Sequence, residues 1–193
     1  MNPAPRFVAD LPDQMDLLVT DIGQLCTVHD PDHDDGKDAG PRRREAMSAL
    51  GIFTEAALAV KDGRIVACGG APELFEALFG GTTIPADVPT VSAAGGAVIP
   101  GFVDPHTHTV FGRTRQDEYE RRIKGETYLE IAAAGGGIHS SVADLREREE
   151  DELLELAEDR LREMLTWGTT TVEIKSGYGL DLESELKMLR VAK

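Results

Sequence analysis

Two histidines separated by one residue are the groups in this sequence best suited to metal chemistry. His106 and His108 lie in VIPGFVDPHTHTVFGR, at the end of an apolar run. In a β-strand the side chains at i and i+2 leave the same face, so both imidazoles can converge on one metal ion. Neutral imidazole is a ligand for zinc, iron and similar borderline ions. The pair is a candidate metal site, although a His-x-His pair alone is weak support for one.

The elements around this pair are predicted to follow a β/α order. Residues 99–103 predict a first strand, which ends just before the histidines. Residues 149–167 place apolar side chains on one helical face, Gly168 is expected as a left-handed C-cap, and residues 169–174 (TTTVEI) predict a strand. Another helix is expected from Leu182 onward. This order predicts a parallel β/α architecture, with the histidines at the carboxyl end of its first strand, where β/α barrels build active sites.

The first half of the chain predicts a small β domain. Residues 15–28 are apolar and β-branched, which favours one or two short strands. Residues 57–69 contain two apolar runs around Asp62 and Gly63, a dipeptide that accepts the positive φ angles of a tight hairpin turn. Residues 72–79 predict a short helix that begins with proline and ends before two glycines.

The division between the two predicted domains is placed at residue 97, giving a β domain over 1–97 and the first β/α units over 98–193. Within the first domain, residues 29–45 combine turn formers and charges with almost no apolar side chain, so a surface loop is expected. His29, His33 and the neighbouring aspartates suggest a metal tract. A solvated loop is favoured, because nothing there supplies a rigid element to fix ligand geometry.

Composition excludes several classes of partner. The 193-residue chain has 41% hydrophobic residues, enough for a core, and a net charge of −15, which repels phosphate backbones and anionic membranes. We therefore expect neither nucleic-acid binding nor membrane association. No secretory signal or membrane-spanning run is found, so a cytoplasmic location is expected. Cys26 and Cys68 are too few and too widely spaced for a disulfide framework, and both are expected to be small buried apolar residues.

Three blocks of sequence carry a resemblance to a known family. They are GPRRREAM, PGFVDPHTHTVFGRTRQDEYERRIKGETYLEIAAAGGGI and TTTVEIKSGYGLDLESELKMLRVA. The segment PGFVDPHTH resembles the strand-one metal motif of amidohydrolases, and the longer blocks resemble the imidazolonepropionase family within that class. The resemblance implies the amino-terminal part of a metal-dependent (β/α)8 barrel hydrolase, preceded by a small β-sandwich-like domain. Because the sequence stops inside its last helical pattern, we expect the barrel to be incomplete in this chain.

The resemblance also implies a site and a reaction. His106 and His108 match the metal-binding histidines, which implies one Zn²⁺ or Fe³⁺ per subunit, and Arg115 and Tyr178 match the substrate-binding arginine and tyrosine. The implied reaction is hydrolysis of the ring amide of 4-imidazolone-5-propanoate to N-formimidoyl-L-glutamate, in a homodimer when full length. The general acid and base are expected in a part absent from this chain, so we expect the chain alone to be inactive.

Other polar residues near the motif have two readings each. Asp104 could orient an imidazole or make a simple strand-end hydrogen bond. His139 follows three glycines that could form a lid or an oxyanion pocket, but a surface histidine beside a turn is favoured. Glu173 and Lys175 end the second predicted strand and could face the site, or could pair with each other.

Two rival functions remain open on the sequence. The first is another cyclic-amide amidohydrolase or a deaminase, which Arg115 and the segment KSGYGL disfavour. The second is a non-catalytic amidohydrolase-like protein, which the histidine pair disfavours. Metal analysis and a substrate comparison would separate the three.

Overall fold

The computed structural model describes residues 5–7, 15–28 and 43–193, which divide into two compact units, Met1–Pro100 and Gly101–Lys193. The mixture of helices and strands is that of an α/β protein. Most of the expected surface loop over 29–45, with His29 and His33, lies outside the described residues. Its last residues begin a short 3₁₀ helix, Arg44–Ser48.

One six-stranded mixed sheet forms the first unit. Its strand order is β1-β4-β3-β2-β5, and β6 also pairs with β2. Neighbours from β1 to β2 are antiparallel, whereas β5 and β6 run parallel to β2. The elements are β1 (Arg6–Phe7), β2 (Leu17–Cys26), β3 (Ile52–Lys61), β4 (Arg64–Gly70), α1 (Ala71–Phe79), β5 (Thr90–Ser92) and β6 (Ala97–Val98).

The hairpin and the helix expected in this unit are confirmed. Asp62 and Gly63 form the two-residue turn between β3 and β4 with φ angles of 49° and 69°, as the tightest hairpins require. Helix α1 ends at Gly80, which is left-handed at φ 66°. The expected one or two short strands over 15–28 are a single ten-residue strand, β2, with an irregularity between Val19 and Ile22.

Each face of this sheet buries its own apolar cluster. Alternation along β3 places Ala57 and Ala59 on the face that packs against α1 through Leu74, and Ala56 and Leu58 on the other face. Among the described residues this unit has one sheet, so a sandwich remains a prediction.

Both cysteines are free and half-buried rather than buried as expected. Burial raises the pKa of the Cys68 thiol, against a smaller opposing effect of Arg6. The thiol of Cys68 is therefore less readily ionised than an exposed one.

The second unit pairs two parallel strands and contains five helices among the described residues. Its elements are β7 (Phe102–Thr107), α2 (Gln116–Ile123), α3 (Tyr128–Ala133), α4 (Ile138–Glu147), α5 (Glu150–Thr166), β8 (Thr169–Ile174) and α6 (Leu182–Ala192). Strands β7 and β8 pair in parallel, with Val103 opposite Thr171 and Thr107 opposite Ile174. Their carboxyl ends therefore lie at the same edge.

The sequence placed β8 and α5 well and β7 poorly. Strand β8 has the predicted bounds, α5 differs by one residue at each end, and Gly168 between them has φ 91°. The prediction of a first strand over 99–103 is wrong, because β7 begins at Phe102 and runs into the motif. His106 is consequently inside the strand and His108 lies just after it.

The core of this unit joins the segment after β7 to three helices. Buried Val110 packs with Leu145 of α4, Leu153 and Ala157 of α5, and Met188 of α6. This packing fixes the residues that follow β7 relative to the helices. None of the helices in the described part of the chain is long and apolar enough to cross a membrane.

Candidate metal and substrate site

The two histidines of the motif lie side by side. Their ring centroids are 5.4 Å apart and the ring planes are inclined by 62°. His106 is exposed and His108 is half-buried. The spacing that the sequence suggested does bring both imidazoles to one place.

Their arrangement is compatible with a shared metal ion. Zinc–nitrogen bonds of about 2 Å in a tetrahedral site put two imidazole centroids about 5 Å apart. The Nδ1 atom of His108 is buried and has no hydrogen-bond partner, which is the state of a nitrogen that a further ligand would satisfy. Within residues 5–7, 15–28 and 43–193 no group of three or more His, Cys, Asp or Glu could hold a metal. The described part of the chain thus offers a ligand pair, whereas catalytic zinc takes about three protein ligands.

Tyr178 lies directly against one member of this pair, His108. Its ring centroid is 5.3 Å from that of His108 and 6.2 Å from that of Phe111. The residue before it, Gly177, has φ 137°, and a Cβ there would come within 3.3 Å of His108 Cε1. Both the backbone conformation and the approach to His108 therefore favour glycine at position 177.

Arg115 and Tyr178, which are 63 positions apart in the sequence, line one cavity of about 280 Å³. The cavity is lined by Phe111, Arg113, Thr114, Arg115, Ser141 and Tyr178. Because Tyr178 also contacts His108, it connects the cavity to the histidine pair. The two residues matched to substrate binding are thus neighbours in the fold.

The two arginines of the cavity differ in their ion pairs. Arg113 Nη2 lies 2.8 Å from Asp117 Oδ2, whereas Arg115 Nη1 lies 3.7 Å from Glu118 Oε2. Glu118 also accepts a hydrogen bond from the backbone N–H of Gly137 through its other oxygen, at 2.8 Å. Arg115 is therefore the more loosely paired of the two and the better placed to bind an added anion.

The loop after β7, residues 109–115 (the first loop), is held by a residue that the sequence did not single out. Arg160 of α5 donates hydrogen bonds to the carbonyl oxygens of Thr109 (2.9 Å), Phe111 (2.5 Å) and Gly112 (2.8 Å). Its guanidinium carbon also lies 3.6 Å from the centroid of the Phe111 ring. Burial, with a smaller effect of Arg148, lowers the pKa of Arg160, but a guanidinium stays charged at neutral pH.

The structure shows the contacts or exposure of the polar residues for which the sequence left two interpretations. Asp104 accepts a hydrogen bond from the backbone N–H of His106 at 3.1 Å, which is the strand-end alternative. His139 is exposed in the first turn of α4. Lys175 Nζ lies 2.5 Å from Glu173 Oε1, and this hydrogen bond holds the pKa of the Glu173 carboxyl below its usual value.

Several curated proteins similar to this chain are named imidazolonepropionase. Imidazolonepropionase from Symbiobacterium thermophilum is 45% identical over 93% of this chain, and that from Bacillus velezensis is 43% identical over 95%. Imidazolonepropionase from Shewanella sp. (strain ANA-3) is 50% identical over 74% of the chain. By sequence, this chain is similar to a part of these imidazolonepropionases.

The match to these imidazolonepropionases is partial in length. The chain spans 39%, 40% and 34% of the three relatives, respectively. No protein-family model matches the chain. Among solved structures, a triazine hydrolase from Arthobacter aurescens aligns with 92% of this chain and 33% of its own, at 15% identity and a TM-score of 0.43. A likeness of that size carries no weight for the fold.

Proposed function

We propose that this chain is part of an enzyme that hydrolyses the ring amide of 4-imidazolone-5-propanoate to N-formimidoyl-L-glutamate. The observation that carries the proposal is the shared name of relatives at 43–50% identity over most of the chain. The adjacent imidazoles and the cavity beside them support it. A cytoplasmic homodimer remains a prediction from the family resemblance.

His106 and His108 are proposed to hold one metal ion, Zn²⁺ or Fe³⁺, in each subunit. The buried, unpaired Nδ1 of His108 supports this assignment. When bound, the metal supplies a water of lowered pKa and a Lewis acid for the ring carbonyl. Since two imidazoles are fewer than the usual number of ligands, the others, with the general acid and base, are proposed to come from residues outside this chain.

Arg115 is proposed to bind the carboxylate of the substrate. A guanidinium can hold a carboxylate through two parallel hydrogen bonds, and this geometry fixes the direction of the bound molecule as well as its affinity. The loose ion pair of Arg115 and its place on the cavity support that role. The propanoate would then lie in the cavity, and the ring would extend past Tyr178 towards the histidines.

Tyr178 is proposed to orient the heterocycle. Its ring can pack on the flat substrate while its hydroxyl exchanges a hydrogen bond with a polar ring atom. The contact between the Tyr178 and His108 rings supports this role, because a ring held there would exclude water from one side of the reacting carbonyl.

A (β/α)8 barrel is the fold proposed for the complete enzyme. Phe102 and Val103 on β7 are 55% and 65% exposed in this chain. Parallel sheets in proteins are normally covered on both faces, so these apolar side chains favour further β/α units beside them. The domain division at residue 97 belongs to the same proposal.

The test is a substrate comparison on the complete protein that carries this chain. We expect it to hydrolyse 4-imidazolone-5-propanoate, and to leave hydantoin and guanine unchanged under the same conditions. Activity on the latter two alone would make it a different amidohydrolase or a deaminase. Absence of activity and of bound metal would favour a non-catalytic relative.

A further inference from the structure

Tyr178 lies on the loop after β8, residues 175–180 (the second loop). We infer that Glu185 is a positioning residue: it holds this loop and thereby keeps the Tyr178 ring against that of His108. The inference rests on the proposed function for its kinetic consequence, but its structural content does not. Glu185 lies on α6 and belongs to neither the histidine pair nor the cavity lining.

The Glu185 carboxylate accepts hydrogen bonds from the backbone that directly follows Tyr178. Glu185 Oε1 accepts from the backbone N–H groups of Gly179 and Leu180, each at 2.8 Å. On the other side of the tyrosine, the Ser176 hydroxyl and the Gly177 N–H lie near enough to lower the pKa of this carboxyl. The two residues that follow Tyr178 are therefore both bonded to one carboxylate oxygen.

The carboxylate is in its charged form when it makes these bonds. Burial by itself would raise the pKa of Glu185, but the hydrogen bonds from Ser176 and the three backbone N–H groups outweigh it and leave the pKa below its usual value. Glu185 also lies near the amino-terminal end of α6, where the helix dipole favours a negative charge. An ionised acceptor makes stronger bonds to N–H groups than a neutral one does.

The backbone of the second loop adopts a conformation that needs such support. Leu180 has φ 57°, in the left-handed region that side chains other than glycine rarely adopt. At Gly179 an added Cβ would come within 2.6 Å of the Glu185 backbone nitrogen, so the loop lies tightly against the first turn of α6. A backbone conformation of this rare kind persists only where surrounding contacts stabilise it, and the hydrogen bonds to Glu185 are such contacts.

Glu185 thus acts on the site through Tyr178 without reaching the site itself. If its bonds are lost, the second loop can relax and the Tyr178 ring is no longer fixed beside His108. The substrate would meet a tyrosine with a wider range of positions, so kcat/KM should fall although no group that touches the substrate has been removed.

The experiment measures two quantities separately in the complete protein: the environment of the Tyr178 ring, by ¹⁹F NMR, and kcat/KM. Tyrosines are replaced by 3-fluorotyrosine, and the ¹⁹F signal of Tyr178 is assigned by its loss in Tyr178→Phe. Glu185→Gln keeps the size of the side chain and removes its charge. Glu183→Gln is the matched control, because it removes the same charge from an exposed residue in the same turn of α6.

We expect Glu185→Gln to shift or broaden the Tyr178 signal and to lower kcat/KM about tenfold. Loss of a residue that orients a metal ligand has an effect of about this size. Metal content should stay unchanged, and Glu183→Gln should match the parent. Once Tyr178 is replaced by alanine, the further loss caused by Glu185→Gln should be much smaller, because the two residues act on one property. Ser176→Ala, a milder change, should move the signal in the same direction.

A purely structural role has a different signature. An unmoved Tyr178 signal in both Glu185→Gln and Ser176→Ala, with only a lower melting temperature, would overturn the inference. Kinetic losses of Glu185→Gln and Tyr178→Ala that simply multiply would also overturn it. Should the parent protein fail to hydrolyse imidazolonepropionate, the proposed function falls, and the ¹⁹F result alone then decides whether Glu185 positions Tyr178. If Glu185→Gln does not fold, Ser176→Ala supplies the decision.

Discussion

The two loops that carry the candidate substrate-binding residues are held by side chains of opposite charge. In the first loop, Arg160 donates to three carbonyl oxygens, whereas in the second loop the Glu185 carboxylate accepts from backbone N–H groups. Both side chains come from helices rather than from the strands that precede the loops. The first loop turns carbonyl oxygens towards its helix and is held by a cation, whereas the second loop turns N–H groups towards its helix and is held by an anion. Each buried backbone group thereby gains a hydrogen-bond partner.

This difference predicts that the two loops respond differently to substitution and to acid. A guanidinium remains charged as the pH falls, whereas a carboxylate is neutralised. The first loop should therefore depend mainly on the presence of Arg160, and the second loop on the ionisation of Glu185.

Removal of Arg160 should have the largest effect on stability. Arg160→Met would leave three carbonyl oxygens without their charged donor, and we expect the free energy of unfolding to fall by about 3 kcal/mol. Chemical denaturation measures this. The control is Arg162→Met in the same helix, where exposed pairs with Glu158 and Asp159 should contribute no more than about 0.5 kcal/mol. Equal losses for the two variants would show that Arg160 does not hold the first loop.

Substitution of Gly177 should have an intermediate effect and should reach the histidine pair. At φ 137°, with His108 Cε1 3.3 Å from the added Cβ, Gly177→Ala should cost about 2 kcal/mol. The control, Gly125→Ala, has φ 98° with nothing within 4 Å of the Cβ, and should cost about 1 kcal/mol. Calorimetry gives both values, and NMR of the His108 ring should change with the first variant only. If the His108 signals of Gly177→Ala are identical to those of the parent, the second loop does not contact that ring.

The smallest expected effect is a local response of the second loop to acid. Because the pKa of Glu185 is lowered in the folded protein, its contribution is complete above the ordinary carboxyl pKa of 4.5 and is lost as the pH falls through the lowered value. Amide exchange at Gly179 and Leu180 should therefore speed up on acidification relative to that at Phe111. In Glu185→Gln the response should disappear.

Other charged groups near the two loops need controls in that experiment. Arg146 donates to the Gly179 carbonyl and pairs with Asp181, whose own pKa is lowered, mainly by the backbone N–H of Ser184. Asp181→Asn removes that second titration. In the first loop Asp144, whose pKa is lowered chiefly by Arg148, accepts the Arg113 N–H, so Phe111 is the better reporter there. Acid loosening that survives Glu185→Gln but not Asp181→Asn would assign the response to Asp181.

The sequence predicted the elements whose signal is local. Strand β8 is a β-branched run after a glycine, and α5 has a continuous apolar face, so both were placed within a residue. The hairpin at Asp62 and Gly63 is equally local. Helices α2, α3 and α4 were missed, because they are short and their ends depend on contacts such as the hydrogen bond between the Gly137 N–H and Glu118.

The candidate site was predicted only as far as its motifs reach. The spacing of His106 and His108 and the family resemblance were enough to choose the residues that the fold brings together. Arg160 and Glu185 were not predictable, because one helical arginine or glutamate looks like any other until the partner loop is known. The Arg160 bonds span 48 to 51 positions of sequence, and no periodicity encodes such a contact.

The central claim is that the imidazoles of His106 and His108 hold a metal ion that the reaction requires. The direct measurement is metal content by elemental analysis, together with the rate of imidazolonepropionate ring opening, in the complete protein and in its His106→Ala/His108→Ala variant, with the exposed His139→Ala as control. We predict about one metal ion per subunit and full activity in the parent and in the control, and loss of both in the double variant. A double variant with unchanged metal content and ring-opening rate would contradict the claim.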